Sequence, residues 1–176
     1  MTNPRTIHVR PATPTDLDTL LTYSAVLAQE TEGKLLHKET LRAGIQAIMC
    51  SPGMGFLLVA EVHDELRFRT VGQLMITYEW SDWRNSVFWW IQSVYVDRPW
   101  RRQGIYRAMH TYVLEKARAK GNICGIRLYV EQHNQAAQLA YRHLGLRQAK
   151  YILYEEDFSL TQSSSPVESR NPTEVL

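Results

Sequence analysis

Cysteine is scarce. Cys50 and Cys124 are the only two in 176 residues, they lie far apart, and they form no CxxC pair. That excludes a disulfide-stapled scaffold and fits a reducing compartment. Charge of one sign is also lacking: 20 Lys and Arg against 18 Asp and Glu leave a net +2. Such a balance gives no general case for nucleic acid or an anionic membrane as partner. No apolar run has the length of a membrane span. The N-terminal stretch MTNPRTIHVR has no apolar signal-peptide centre. A cytoplasmic protein is the expectation. The phosphate-loop pattern GxxxxGK(S/T) and the dinucleotide pattern GxGxxG are both missing, which disfavours a nucleotide triphosphatase and a dinucleotide enzyme. His110, His133 and His143 do not fall at HExxH spacing or beside a cysteine partner, so no metal is expected.

What is present is an ordinary apolar content, enough for a sizeable core, in a chain of one-domain length. Residues 1–160 read as a single domain. Residues 161–176, rich in Ser, Pro and polar side chains, read as a disordered tail. Ile7 to Arg10 alternates as a short strand. Thr13-Pro-Thr-Asp16 then supplies a helix start: a capping threonine, a first-turn proline and an acid at the positive helix end. One helix face carries Leu17, Leu20, Leu21, Ser24, Leu27 and Ala28, and a second helix runs from Lys38 to Met49. Phe56–Ala60 and Thr70–Tyr78 read as strands, with Glu65–Arg69 extending a hairpin between them. Val87–Val96 is apolar on both faces, as in the middle of a sheet. A helix with Ile105, Met109, Tyr112, Val113 and Ala117 inward follows and stops at Gly121. Ile126–Val130 is a strand, Asn134–Leu144 a helix ending at Gly145, and Ala149–Phe158 a last strand. The order β α α β β β α β α β predicts a mixed α/β, α+β-like chain. It has a central, mostly antiparallel sheet, one parallel strand pair (Val87–Val96 with Ile126–Val130) and helices on its faces.

The handover from Val96 to the following helix is the chemically loaded point. A helix start aims unpaired N–H groups and the positive dipole end at one spot, which makes an anion site. Gly104 lets a ligand approach the backbone, and Arg101 and Arg102 add positive charge at the rim.

Arg101-Arg102-Gln103-Gly104-Ile105-Tyr106 resembles the Q/R-x-x-G-x-G/A turn of the GNAT superfamily of N-acetyltransferases. The first and fourth positions match. The last departs, with Tyr106 where the family has Gly or Ala. The order of elements from Ile7 to Phe158 is similar as well. So is the segment Asn134 to Leu146, which matches the pattern N-x-x-A-x-x-x-Y-x-x-x-G-F/L at Asn134, Ala137, Tyr141 and Gly145. The resemblance implies a GNAT-type fold in which the parallel pair splays apart and the strand before the turn carries a bulge. It implies acetyl-coenzyme A as cosubstrate. The pyrophosphate would lie on Arg101, Arg102, Gln103, Gly104, Ile105 and Tyr106. The pantetheine arm would run along Val94, Tyr95 and Val96, with Asn134, Ala137 and Tyr141 on its other side. It also implies that a backbone N–H near Val94–Val96 polarises the thioester carbonyl.

Acetyl transfer to an alkylamine needs a base, because an amine of pKa about 10.4 is mostly protonated at neutral pH. It also needs a proton for the departing thiolate. Tyr141 is the candidate acid. For the base Glu79 is favoured, with Asp82 beside it and Glu131 beyond the second parallel strand as alternatives. Trp80 and Trp83 could pack on the acceptor's alkyl part or face its charge; the competing reading makes this loop an ordinary hairpin whose acids pair with Arg84. The expected acceptor is the primary amine of a small molecule or a peptide end. A homodimer is possible on family grounds. The rival reading is an acyl-coenzyme A-binding sensing or assembly module with little or no catalysis.

Overall fold

The computed structural model describes residues 6–64 and 67–158. The expected tail, 161–176, lies outside the described residues. Five strands form one sheet in sequential order: β1 (Ile7–Pro11), β2 (Gly55–Asp64), β3 (Arg67–Ser81), β4 (Ser86–Val96) and β5 (Ile123–Leu128). Neighbours from β1 to β4 are antiparallel, and β4 and β5 are parallel. Among the described residues four α-helices flank the sheet: α1 (Leu17–Glu32), α2 (Lys38–Cys50), α3 (Ile105–Lys120) and α4 (Gln135–His143). The mixed α/β architecture expected from the sequence is therefore present.

The two sheet faces bury different helices. On one, Leu58, Ala60, Leu74, Ile76, Trp89 and Ile91 pack with Ile105, Met109, Val113 and Ala117 of α3. On the other, Leu57, Val59 and Met75 pack with Leu20 and Leu21 of α1 and Ile45 and Ile48 of α2. Alternation along each strand sends neighbouring residues to opposite faces, so β2 and β3 serve both cores.

The start of α1 is fixed by charge as well as capping. The Asp16 carboxylate accepts from the Thr13 N–H at 2.7 Å and takes both Arg10 nitrogens, at 2.7 and 2.9 Å. Arg10 also reaches Glu61 of β2 at 2.5 Å. Asp16 is 6 % exposed. Burial alone would raise its pKa, but the hydrogen bonds from Arg10 and Thr13 hold it below the ordinary value.

Three boundaries differ from the sequence expectation. β3 runs on to Ser81, so Tyr78-Glu-Trp-Ser81 is strand rather than loop; the turn is Asp82–Arg84, closed by Asn85 at φ 45°. β5 begins at Ile123 and ends at Leu128, because its partner β4 leaves it there. The expected last strand, Ala149–Phe158, is not among the strands of the described residues. Tyr151, Ile152 and Tyr154 are 80 %, 80 % and 89 % exposed. Their apolar character signals strand propensity, but a strand exists only where another offers its edge.

Candidate active site

The sheet opens beside β4. Its pairing with β5 covers Val87 to Ile91, where Ile91 sits opposite Leu128, and stops there. On the other side, β3 pairs Met75 with Ser93 and Ile76 with Ile91, so Gln92 is an extra residue, a bulge in β4. Beyond it the two parallel strands diverge, and Gln92–Val94 face Tyr129–Glu131 across the gap. The Asp97 N–H donates to Val71 of β3 at 2.9 Å. By strand alternation the N–H groups of Val94 and Val96 point away from β3, toward the gap. The Val96 carbonyl points the same way and accepts from Arg101 Nε at 2.8 Å.

The gap belongs to a cleft of about 1510 Å³. One drug-sized ligand needs about 300–1,000 Å³, so there is room for a long cosubstrate and an acceptor together. One end is the turn between β4 and α3. Gly104 sits at φ 85° and Arg102 at φ 63°. Among the described residues no carbonyl or side chain accepts from the N–H groups of Arg102 to Arg107. The first hydrogen bond from the helix start is Ala108 to Gly104, at 2.9 Å. The turn thus presents a run of free donors at the helix's positive end. Arg102 and Arg107 line the cleft there. Arg101 also lines it but is tethered: its guanidinium bonds Glu30 of α1 at 2.7 Å and lies 5.3 Å from the Tyr95 ring. Its charge is thus held in place at the rim. Gln103 turns back to the Pro99 carbonyl at 2.8 Å.

Across the gap, Asn134 caps α4 by accepting from the Ala137 N–H at 3.0 Å. Tyr141 stands two turns further along, and all three line the cleft. Burial raises the Tyr141 pKa. Its ring meets that of Tyr106 edge-on, with centroids 5.6 Å apart. Tyr106 therefore turns inward from the helix start, and its bulk does not cover the free N–H groups of the turn. Tyr95 turns to the other face and packs on Tyr23 at 4.9 Å.

The proposed acceptor residues are not brought to this cleft. Glu79 accepts from Trp90 Nε1 and, at 2.5 Å, from Arg127. Asp82 accepts from the Trp83 N–H at 2.8 Å, and Trp80 and Trp83 are 60 % and 84 % exposed at the hairpin end. None of the four lines the cleft. The acids that do are Glu32, ion-paired with Lys34 at 2.7 Å, and Glu131, which accepts from the His133 N–H at 2.7 Å. Glu131 makes no ion pair among the described residues. Sequence reasoning missed the opposite wall: Leu27 and Ala28 of α1, Leu36 before α2, and Leu41 and Ile45 of α2. It also missed Gln92 and Ser93 as lining residues, although two polar residues breaking the apolar run Val87–Val96 were a visible signal. His110 is buried in α3 at 3 % exposure, and burial lowers its pKa. Among the described residues no group of three or more His, Cys, Asp and Glu is arranged to hold a metal.

A bulged strand, a splayed parallel pair and a donor-rich turn occur together in one fold family, and comparison agrees. The model of the acetyltransferase (GNAT) family matches residues 24–146. The chain belongs to the GNAT acetyltransferase family. Its members are acetyl-coenzyme A-dependent N-acetyltransferases. A possible acetyltransferase from Clostridium difficile 630 is 42% identical, with a TM-score of 0.78 over 86% of this chain and 97% of that one. The aminoglycoside N-acetyltransferase AAC(6')-Iy, solved in complex with CoA, superposes with a TM-score of 0.70 over 90% of this chain and 99% of that one. At 12% identity it shares the fold alone. A transcriptional regulator from Bacillus halodurans C-125, 22% identical, superposes with a TM-score of 0.71 over 87% of this chain and 100% of that one. No curated protein matches. The residues of the GNAT cleft fit an acyl-coenzyme A: free N–H donors and arginines suit the phosphates, and the outward backbone of Val94 and Val96 suits amide groups lying along a strand. Among the described residues no helix is long and apolar enough to cross a membrane.

Proposed function

We propose that this GNAT protein transfers the acetyl group of acetyl-coenzyme A directly to the primary amine of a small molecule or peptide end. The observation that carries the reading is the joining of three features in one cleft. These are the free N–H turn at Arg102–Arg107, the outward N–H groups of Val94 and Val96, and Tyr141 facing them from α4. The turn binds the pyrophosphate. Val94 or Val96 donates to the thioester carbonyl, where negative charge grows during attack. Asn134 and Ala137 border the pantetheine arm.

Tyr141 acts on the leaving sulfur. Its raised pKa keeps the phenol protonated near neutral pH, so it is always a donor. Full transfer from a phenol above 10 to a thiolate near 8.5 is uphill by at least about 2 kcal/mol. Tyr141 therefore serves by hydrogen-bonding the sulfur as charge develops, and solvent protonates the thiolate afterwards. Glu131 is the base we assign, directly or through one water, as the cleft's carboxylate without an ion pair. Glu79, favoured on sequence grounds, is occupied by Trp90 and Arg127 and becomes a support of that strand end.

The wall formed by Leu27, Leu36, Leu41, Ile45 and Met75 supports an acceptor with one cationic amine on an apolar stem. A polycation would find only Glu32 and Glu131 as acids lining the cleft, and Glu32 is already paired with Lys34. The test is thiol release from acetyl-coenzyme A with hexylamine, phenethylamine, spermidine and a peptide with a free N-terminus. Turnover led by the first two supports the reading. Binding of the cosubstrate with no turnover across a wide amine panel would favour an acyl-coenzyme A-binding module.

A further inference from the structure

We infer that the acceptor is an arylalkylamine, and that Tyr129, backed by Trp90, is the specificity-determining surface that takes its ring. The inference rests on the reading above and deepens it. Tyr129 follows β5 at the point where the parallel pair has parted. It lines the cleft and is 58 % exposed, so a ligand in the cleft reaches it. A lone exposed aromatic would need no explanation. This one is built into a shelf. One face of its ring lies on Trp90, with centroids 4.4 Å apart and planes 36° apart. The Trp90 indole N–H donates to Glu79 of β3, and Arg127 of β5 donates to the same carboxylate at 2.5 Å. The Arg127 guanidinium in turn lies 3.7 Å from the centroid of the Phe88 ring. This chain of contacts crosses three strands. Trp90 is held from behind, and the second face of Tyr129 is left to the cleft.

The position of the shelf assigns it to the acceptor. Trp89 and Ile91 pack into the core beneath α3, so by alternation Trp90 stands on the opposite face of the sheet, the face of α1 and α2. Met75 of the apolar wall packs on that same face. Leu128 is paired with Ile91, so Tyr129 stands about level with Gln92, two residues short of Val94. At about 3.3 Å per residue, that is about 7 Å from the N–H assigned to the thioester carbonyl. A ring and a short alkyl linker span this interval and bring the amine to the thioester. Charge narrows the chemistry further. Glu79 and Arg127 neutralise each other, so the shelf presents a ring face and no net charge. A planar aryl group matches it, because aromatic rings gain from offset or edge-on partners beyond the area they bury.

The test compares kcat/KM for phenethylamine, hexylamine and spermidine in wild type and in Tyr129→Leu, with calorimetric titration of acetyl-coenzyme A beside it. Leucine keeps apolar bulk and removes the ring face, and a residue this exposed can change without unfolding the chain. We expect wild type to prefer phenethylamine. The variant should lose about threefold to tenfold on phenethylamine, the range of one aromatic pair, mostly through KM. It should lose no more than about twofold on hexylamine, and its affinity for acetyl-coenzyme A should stay within about twofold of wild type. A wild type that favours hexylamine overturns the inference, and so does a variant that keeps the wild-type preference. Turnover led by spermidine would make the ring a cation site and overturn the aryl assignment. Weaker acetyl-coenzyme A binding with equal loss on both monoamines would move Tyr129 to the pantetheine arm and overturn it too. If wild type binds acetyl-coenzyme A but turns over no amine, the functional reading fails and this inference with it, an outcome distinct from turnover without an aryl preference.

Discussion

Gly104→Ala separates the fold of the turn from its use. Gly104 has φ 85° and ψ 3°. A methyl group there would meet nothing closer than the Ile7 Cδ1 atom at 3.9 Å, an ordinary contact. The cost is therefore conformational rather than steric. A left-handed residue with a Cβ costs roughly 1–2 kcal/mol. The stiffer unfolded chain returns about 0.4–1 kcal/mol. The net loss is about 1 kcal/mol, a fall of about 2–4 °C in melting temperature for a chain of this size. Binding should suffer more. If the backbone relaxes toward negative φ, the N–H groups of Ile105 and Tyr106 swing off their common target. One hydrogen bond to a charged oxygen is worth about 1.5–3 kcal/mol, so affinity should drop tenfold or more. The assay is a thermal melt beside calorimetric titration with acetyl-coenzyme A and adenosine diphosphate; both ligands should lose affinity together. A variant that melts lower yet binds both ligands as wild type does would refute the reasoning, because the turn would then be structural only.

Other outcomes follow from the same geometry. Tyr141→Phe should lower kcat about 100-fold or more while the Kd for acetyl-coenzyme A stays within about twofold; a matching loss of binding would make Tyr141 a packing residue. Glu131→Gln should remove the acid limb of the kcat/KM–pH profile, and Glu79→Gln should leave that limb in place; the reverse pattern would return the base to Glu79. Arg10→Met strands the buried Asp16 and Glu61 and should cost about 3–5 kcal/mol by chemical denaturation. The Asp16 pKa lies below its unfolded value near 3.9, so wild type keeps that stabilisation above this pH and loses it as pH falls through the folded pKa. The variant's stability should lack this acid-side loss.

Local chemistry made much of this fold legible. Thr13-Pro-Thr-Asp16, Gly121 and Asn134 name helix ends because a cap is satisfied within a few residues. The turn at Gly104 and the pair Asn134 and Tyr141 were readable for the same reason: spacing along one helix fixes the face. What escaped depended on partners distant in sequence. Ala149–Phe158 has a strand's composition, yet the sheet of the described residues does not include it. β5 ends at Leu128 because β4 departs, a matter of register between two strands. Glu79 looked like a free acid until Arg127, 48 residues away, reached it. The apolar acceptor wall is split among α1, α2 and the residues between them, and no short motif marks such a surface.

The central claim is that this cleft binds acetyl-coenzyme A through its turn and its splayed strands. Calorimetric titration of the purified protein with acetyl-coenzyme A, with adenosine diphosphate as control, tests it most directly. The account predicts saturable micromolar binding that the control does not match. Absence of binding at millimolar acetyl-coenzyme A would contradict it, leaving a GNAT fold whose cleft serves another ligand.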